Sequence, residues 1–250
     1  MPVEGHYEEL GGGVRLWVTP AHKFGADAFL LSDFAAPRAG DRAADLGSGC
    51  GIVPALWFCR PESAPREAVA VELQEAACAQ MERSLAEGNL PAGRFVPLCA
   101  DLRELRGRLP AGGFDLVTCN PPYTGPGGGL LSADPAGRIA RHETACTLAD
   151  VSAAAGYLLR YGGRFCLCHR PERLADVVCA LREAGLEPKR LRLVQQRPER
   201  APWLLLLEGR RGGKPGLRVD PPLIVEGEGG LSPEMLRIYR KNENKKEGGR

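Results

Sequence analysis

The chain lacks any long apolar run. Its unbroken apolar stretches stop at five residues, as from Trp203 to Leu207, far short of the roughly 20 that span a bilayer. Met1 to Gly13 lacks the basic-then-apolar order of an export signal, so the expectation is an unexported, cytoplasmic protein with no membrane partner. Cys-x-x-Cys pairs are missing too. Nine cysteines stand singly at 50, 59, 78, 99, 119, 146, 166, 168 and 179, an odd and scattered set that argues against a disulfide framework or a metal knuckle. Most lie within apolar runs and read as small buried hydrophobes, and four widely spaced histidines add no metal site. No internal repeat is visible.

What is present suits a globular chain: 250 residues, 44% hydrophobic and 26% charged, long enough to bury a sizeable core. The net charge is only +2, but it is unevenly spread. Nine Lys and Arg face two Glu between Lys189 and Arg218, and six face two between Arg237 and Arg250. A phosphate backbone responds to local charge, so these two stretches are the expected nucleic-acid contacts.

Short apolar runs at Arg42 to Leu46, Ala68 to Glu72, Phe95 to Leu98, Phe114 to Cys119, Arg164 to Cys168, Lys189 to Val194 and Trp203 to Leu207 alternate with helical patterns. Such alternation predicts an α/β fold whose sheet is mainly parallel, with helices on both faces. The last two runs are close enough for a hairpin, which makes the seventh strand antiparallel. Leu73, Ala77, Met81 and Leu85 form one helical stripe that Gly88-Asn89 ends. Asp150 is the expected cap of a helix that stops at Gly162-Gly163, and Pro171 opens another that runs to Gly185. Earlier, Val14, Leu16 and Val18 alternate like a strand, and Ala28 to Ala36 reads as a helix. The expected organisation is an N-terminal extension over 1–36 packed on a core over 37–211, then a basic, partly flexible extension over 212–250.

Asp45, Glu72, Asp101 and Asn120 stand at or just past the ends of four successive expected strands, at intervals of 27, 29 and 19 residues. Each interval leaves room for a crossover, so the four can converge along the sheet edge where open α/β folds bind ligands. After the first core strand comes Asp45-Leu46-Gly47-Ser48-Gly49-Cys50-Gly51. The third glycine of a G-x-G-x-x-G dinucleotide loop is replaced by Ile52, which counts against a pyrophosphate ligand. Alternate glycines allow close backbone approach to a ligand, and Glu72 can accept two hydrogen bonds from a ribose diol. This D-x-G-x-G-x-G loop with its acidic partner resembles the class I S-adenosylmethionine-dependent methyltransferases. The resemblance implies a Rossmann-like, seven-stranded sheet. It also implies that Asp45, Gly47, Ser48, Gly49 and Gly51 line the cofactor, that Glu72 and Leu73 meet its ribose, and that Asp101 and Leu102 meet its adenine.

Phe114 to Cys119 leads straight into Asn120-Pro121-Pro122-Tyr123. An exocyclic or amide NH2 is a poor nucleophile because its lone pair is delocalised, and it must become pyramidal to attack a methyl group. The Asn120 side-chain carbonyl and the Pro121 backbone carbonyl supply two acceptors for its N–H groups as positive charge develops. Consecutive prolines stiffen the loop, and Tyr123 can stack on a flat substrate. This motif resembles that of amino-methyltransferases acting on adenine N6, guanine N2 or protein glutamine. About forty residues precede Asp45, too few for the extra helical domain of the glutamine enzymes.

Lys23-Phe24 within His22 to Leu31, Arg141-His142-Glu143, His169 to Arg173, Gly213 to Gly216 and Pro233 to Leu236 together resemble the bacterial tRNA(1)Val (adenosine(37)-N6)-methyltransferase family over nearly the whole chain. The resemblance implies S-adenosylmethionine as cofactor, with Lys23 and Phe24 beside it. It also implies tRNA as partner, with Asn120 to Tyr123 gripping a flipped-out adenine. Arg138, Arg141 and His142 follow as candidate RNA contacts. The alternatives are a protein glutamine N5-methyltransferase and a non-catalytic RNA-binding module.

Overall fold

The computed structural model describes residues 4–121 and 146–240. The chain opens with a hairpin of β1 (His6–Gly11) and β2 (Val14–Val18), followed by α1 (Ala26–Ala35). Two parallel strand-and-helix steps come next, β3 (Arg42–Leu46) with α2 (Ile52–Phe58) and β4 (Glu67–Glu72) with α3 (Glu75–Glu87), followed by strands β5 (Phe95–Cys99) and β6 (Phe114–Cys119). Beyond them lie α4 (Leu148–Leu158), β7 (Leu159–His169), α5 (Leu174–Glu183), β8 (Leu186–Gln195) and β9 (Leu204–Arg211). The described chain closes with four two-residue strands, β10 (Arg218–Val219), β11 (Leu223–Ile224), β12 (Glu226–Gly227) and β13 (Gly230–Leu231), and with α6 (Pro233–Arg240).

The main sheet runs β5-β4-β3-β6-β7-β9-β8, parallel except for β9, as the sequence predicts. The two-residue strands β10 and β11 extend it beyond β8 and bring it to nine. Alternation along each strand feeds two cores. Ala43, Ala68, Ala70, Leu116, Cys166, Cys168, Leu204 and Leu206 face the hairpin, α1, α2, α3 and α6. Ala44, Leu46, Val69, Val71, Val117, Cys119, Phe165 and Leu167 face α4 and α5. Helices therefore cover both faces, and each fully buried Leu or Phe contributes roughly 1.5–3 kcal/mol. The nine cysteines are free thiols, and burial pushes those of Cys50, Cys59 and Cys166 up to about 12.

Several local expectations are corrected. Asp150 does not cap α4: Thr147 does, its hydroxyl accepting from the Asp150 N–H while the Asp150 carboxylate accepts from the Thr147 N–H in a reciprocal capping box. That helix ends at Leu158 and not at Gly162-Gly163. Leu159 already pairs with Phe114, and the glycines lie within a register shift of β7, Gly162 at φ +76°. Leu73 falls outside the α3 stripe and is 45% exposed, because β4 ends only one residue before it. The final apolar strand begins at Leu204 and continues to Arg211. Gly88 does end α3, and a β-carbon there would sit 2.1 Å from the Arg15 carbonyl, where the hairpin crosses the helix.

At the far end, α6 folds back onto α1. Met235 and Ile238 are buried, Tyr239 meets Phe29 edge to face at 5.0 Å, and Arg237 pairs with Asp33 at 3.3 Å. Among the described residues no helix is long and apolar enough to cross a membrane.

Candidate active site

Sheet order builds the site. β3 pairs with β4 on one side and β6 on the other, so connections leave in opposite directions and open a crevice at their carboxyl ends. Leu46 pairs with both Val71 and Cys119, so Gly47 and Asn120, the residues that follow β3 and β6, leave the sheet at the edge where Glu72 ends β4. Three of the residues expected to form the site, Gly47, Glu72 and Asn120, thus stand at the ends of three adjacent strands. Asp101 lies one strand further out, past the end of β5.

The glycine loop is held by acids turned inward. Asp45 is buried, and its carboxylate accepts from the hydroxyls of Ser48 and Thr118, each at 2.6 Å. Burial, against those two hydrogen bonds, pushes its carboxyl up to about 6. Glu72 is also buried, and its two oxygens accept from the backbone N–H groups of Gly49 and Gln74, both at 2.9 Å. Thr118 escaped sequence reasoning, since only the β3–β6 pairing brings it to Asp45. The three glycines differ. Gly47 and Gly49 have left-handed backbones with open space where a β-carbon would stand, whereas a β-carbon on Gly51 would meet Phe95 at 2.9 Å and Met81 at 3.0 Å. The first two face the crevice and the third serves packing.

Leu73 is exposed beside Glu72, and Leu102 is half-buried beside Asp101. The Asp101 carboxylate is already engaged: it caps the turn at Leu102–Glu104, accepts from the Arg103 guanidinium, and is held below the usual carboxylate range by that contact. Lys23 and Phe24 line a hollow of about 650 Å³ with Glu4, His6, Glu8 and Thr19, a set that does not include the glycine loop. Phe24 also packs on the face of the sheet that carries Cys168.

Asn120 is half-buried, and its Oδ1 accepts from the Cys168 thiol at 3.0 Å, while Pro121 is buried. Pro122, Tyr123, Arg138, Arg141 and His142 lie outside the described residues. His169 anchors the following turn, its Nδ1 accepting from the Arg170 N–H at 2.8 Å. Burial, with Arg173 nearby, pulls its imidazole down to about 4 and keeps it neutral at pH 7.

Part of the basic stretch after Lys189 is committed within the protein. Arg190 and Arg218 bond Asp220, Arg192 grips Glu234 with two hydrogen bonds of 2.8 Å, and Arg197 bonds Glu226. The Lys189 ammonium donates to the Lys214 carbonyl. Of the nine basic residues read in the sequence as a phosphate-binding stretch, four, Arg190, Arg192, Arg197 and Arg218, pair with acids that follow in the chain.

The crevice fits a nucleoside cofactor. Two ligand-facing glycines leave the space clear, and each Glu72 oxygen, with one backbone N–H bound, retains a lone pair for a hydroxyl. Among the described residues no group of three or more His, Cys, Asp or Glu side chains is arranged to hold a metal ion.

No family model matches the chain. Three curated proteins carrying the name tRNA1(Val) (adenine(37)-N6)-methyltransferase are similar to it. That of Parabacteroides distasonis is 28% identical over 190 residues, 75% of this chain and 76% of that protein. That of Erwinia tasmaniensis is 33% identical over 147 residues, 59% of this chain and 58% of that protein. That of Cronobacter sakazakii is 30% identical over 173 residues, 69% of this chain and 67% of that protein. Among solved structures, a predicted O-methyltransferase from Agrobacterium tumefaciens superposes with a TM-score of 0.68, covering 87% of this chain and 97% of that one at 23% identity, a likeness of fold. A methyltransferase sheet with its switch-point crevice, and relatives of one name across most of its length, establish that the chain belongs to the tRNA1(Val) (adenine(37)-N6)-methyltransferase family.

Proposed function

We infer that this protein transfers a methyl group from S-adenosylmethionine to N6 of an adenine in tRNA, the base at position 37 of a valine tRNA as in the names of its relatives. The observation that carries the reading is that Gly47, Glu72 and Asn120 stand at the carboxyl ends of three adjacent parallel strands, at one edge of the sheet. When bound, the cofactor supplies an electrophilic methyl group on a sulfonium.

The chain's own residues do the rest. Gly47 and Gly49 admit the cofactor, and Glu72 accepts from its ribose hydroxyls. Asn120 Oδ1 and the Pro121 carbonyl oxygen accept the two N6–H groups, which favours the pyramidal amine and stabilises the charge that builds on nitrogen. Holding the amine in line is a proximity effect worth up to about 7–11 kcal/mol. The nitrogen attacks through its own lone pair as the sulfonium–methyl bond breaks, so no side chain need remove a proton first, and one of the amine's own two protons leaves to solvent afterwards. A loop adenine is already unpaired and is cheaper to extrude than a duplex base, which favours an anticodon-loop target in the cytosol.

The test incubates the protein with methyl-labelled cofactor and either total tRNA or a release-factor protein, followed by mass spectrometry of tRNA nucleosides. N6-methyladenosine in tRNA is the expected product. Label on protein glutamine, or cofactor binding with no turnover on either substrate, overturns the reading.

A further inference from the structure

Asn120 must offer its oxygen, not its NH2, to the substrate amine. A carboxamide can turn over by 180° and present the wrong end, so something must select the orientation. The strand alternation brings one candidate to it. Cys119 pairs with Leu167 and both face the α4–α5 core, so the next residues, Asn120 and Cys168, turn together to the opposite face. There the Cys168 thiol, fully buried, donates to Asn120 Oδ1 at 3.0 Å.

We propose that Cys168 is a positioning residue for methyl transfer, its S–H fixing the Asn120 carboxamide so that the oxygen's second lone pair is aimed at the substrate amine. This rests on the reading that Asn120 is the acceptor of that amine. Carbonyl oxygen has two lone pairs, and a bond to one leaves the other for the substrate. A thiol suits the task because it is a weak donor: it orients the oxygen while withdrawing little electron density from the atom that must receive the N6–H. It also packs as a hydrophobe in the core, where a donor must have a partner to be buried cheaply.

The test measures kcat and both KM values, for cofactor and for tRNA, in the full-length protein and in Cys168→Ala, Cys168→Val, Cys168→Ser and Asn120→Ala, with cofactor Kd and thermal denaturation as checks of folding. Val fills the space without a donor, and Ser keeps a donor. The expected result is a kcat about tenfold lower in both Ala and Val, the loss of one orienting hydrogen bond, with both KM values within about twofold and Ser close to wild type. Two results overturn the proposal: Ala and Val turning over like wild type, or Ser falling as far as Val, which assigns Cys168 to packing alone. The Asn120→Ala variant separates this from the parent reading. If it remains active, or if the unaltered protein leaves tRNA unmethylated, the reading itself fails and takes the positioning role with it. If it is inactive while Cys168→Val is not, only the positioning role is lost.

Discussion

At the carboxyl ends of β3 and β4 the buried acids bond to the loop beside them, whereas along and just past β8 the arginines bond to acids that arrive 29 to 42 residues later, as Glu234 does to Arg192. In the first region polar groups define a hollow and leave lone pairs over for a ligand. In the second they are consumed in fastening the end of the described chain to the sheet edge. Charge density in a sequence therefore does not by itself tell which cations are left for a partner, because acids distant in the chain can pair with them.

The comparison breaks most visibly at Asn120. Replacement by Ala is expected to lower kcat for tRNA methylation by about 10²- to 10³-fold with cofactor Kd changed less than threefold, measured by steady-state kinetics and calorimetry. Glu72→Ala acts the other way, weakening cofactor binding by about a hundredfold through two lost charge-assisted hydrogen bonds, with a smaller effect on kcat at saturating cofactor.

Next in size is a pair of opposite pH slopes, read from unfolding in denaturant. The folded carboxyl of Asp45 lies above its unfolded value, so its contribution is present below about pH 4 and is lost as pH rises to about 6. Wild type should lose on the order of 2 kcal/mol relative to Asp45→Asn across that window. Glu234 is held down by the Arg192 guanidinium, so its contribution stands above the usual Glu range and fades as pH falls, and Glu234→Gln should show the reverse trend. The smallest effect is at Arg192→Ala: a stability loss of about 1 kcal/mol, with the slope of tRNA affinity against salt unchanged. A slope reduced by about one would return Arg192 to the phosphate-binding surface.

What the sequence revealed follows from range. The glycine loop, the acids at strand ends and the seven long strands, the last of them antiparallel, depend on patterns a few residues long and were legible, whereas their order in the sheet was not. The helix cap at Thr147 was misread by three residues because Asp150 is part of the same box and is the better-known capping type. Thr118 and Cys168 carried no signal, since each acquires its role only when β6 lies between β3 and β7. The ion pairs of Arg190, Arg192 and Arg197 were not legible for the same reason: Asp220, Glu226 and Glu234 look remote until the edge strands form. Lys23 and Phe24 border a hollow whose lining leaves out the glycine loop, and their place in cofactor binding stays a proposal.

The contact of α6 with α1 has a consequence for biosynthesis. Phe29 and Asp33 emerge from the ribosome some 200 residues before Arg237 and Tyr239, so this face of α1 must wait for nearly the entire described chain before it is covered. The sheet can assemble before α6 arrives, and until then the nascent chain carries an uncovered apolar face on α1.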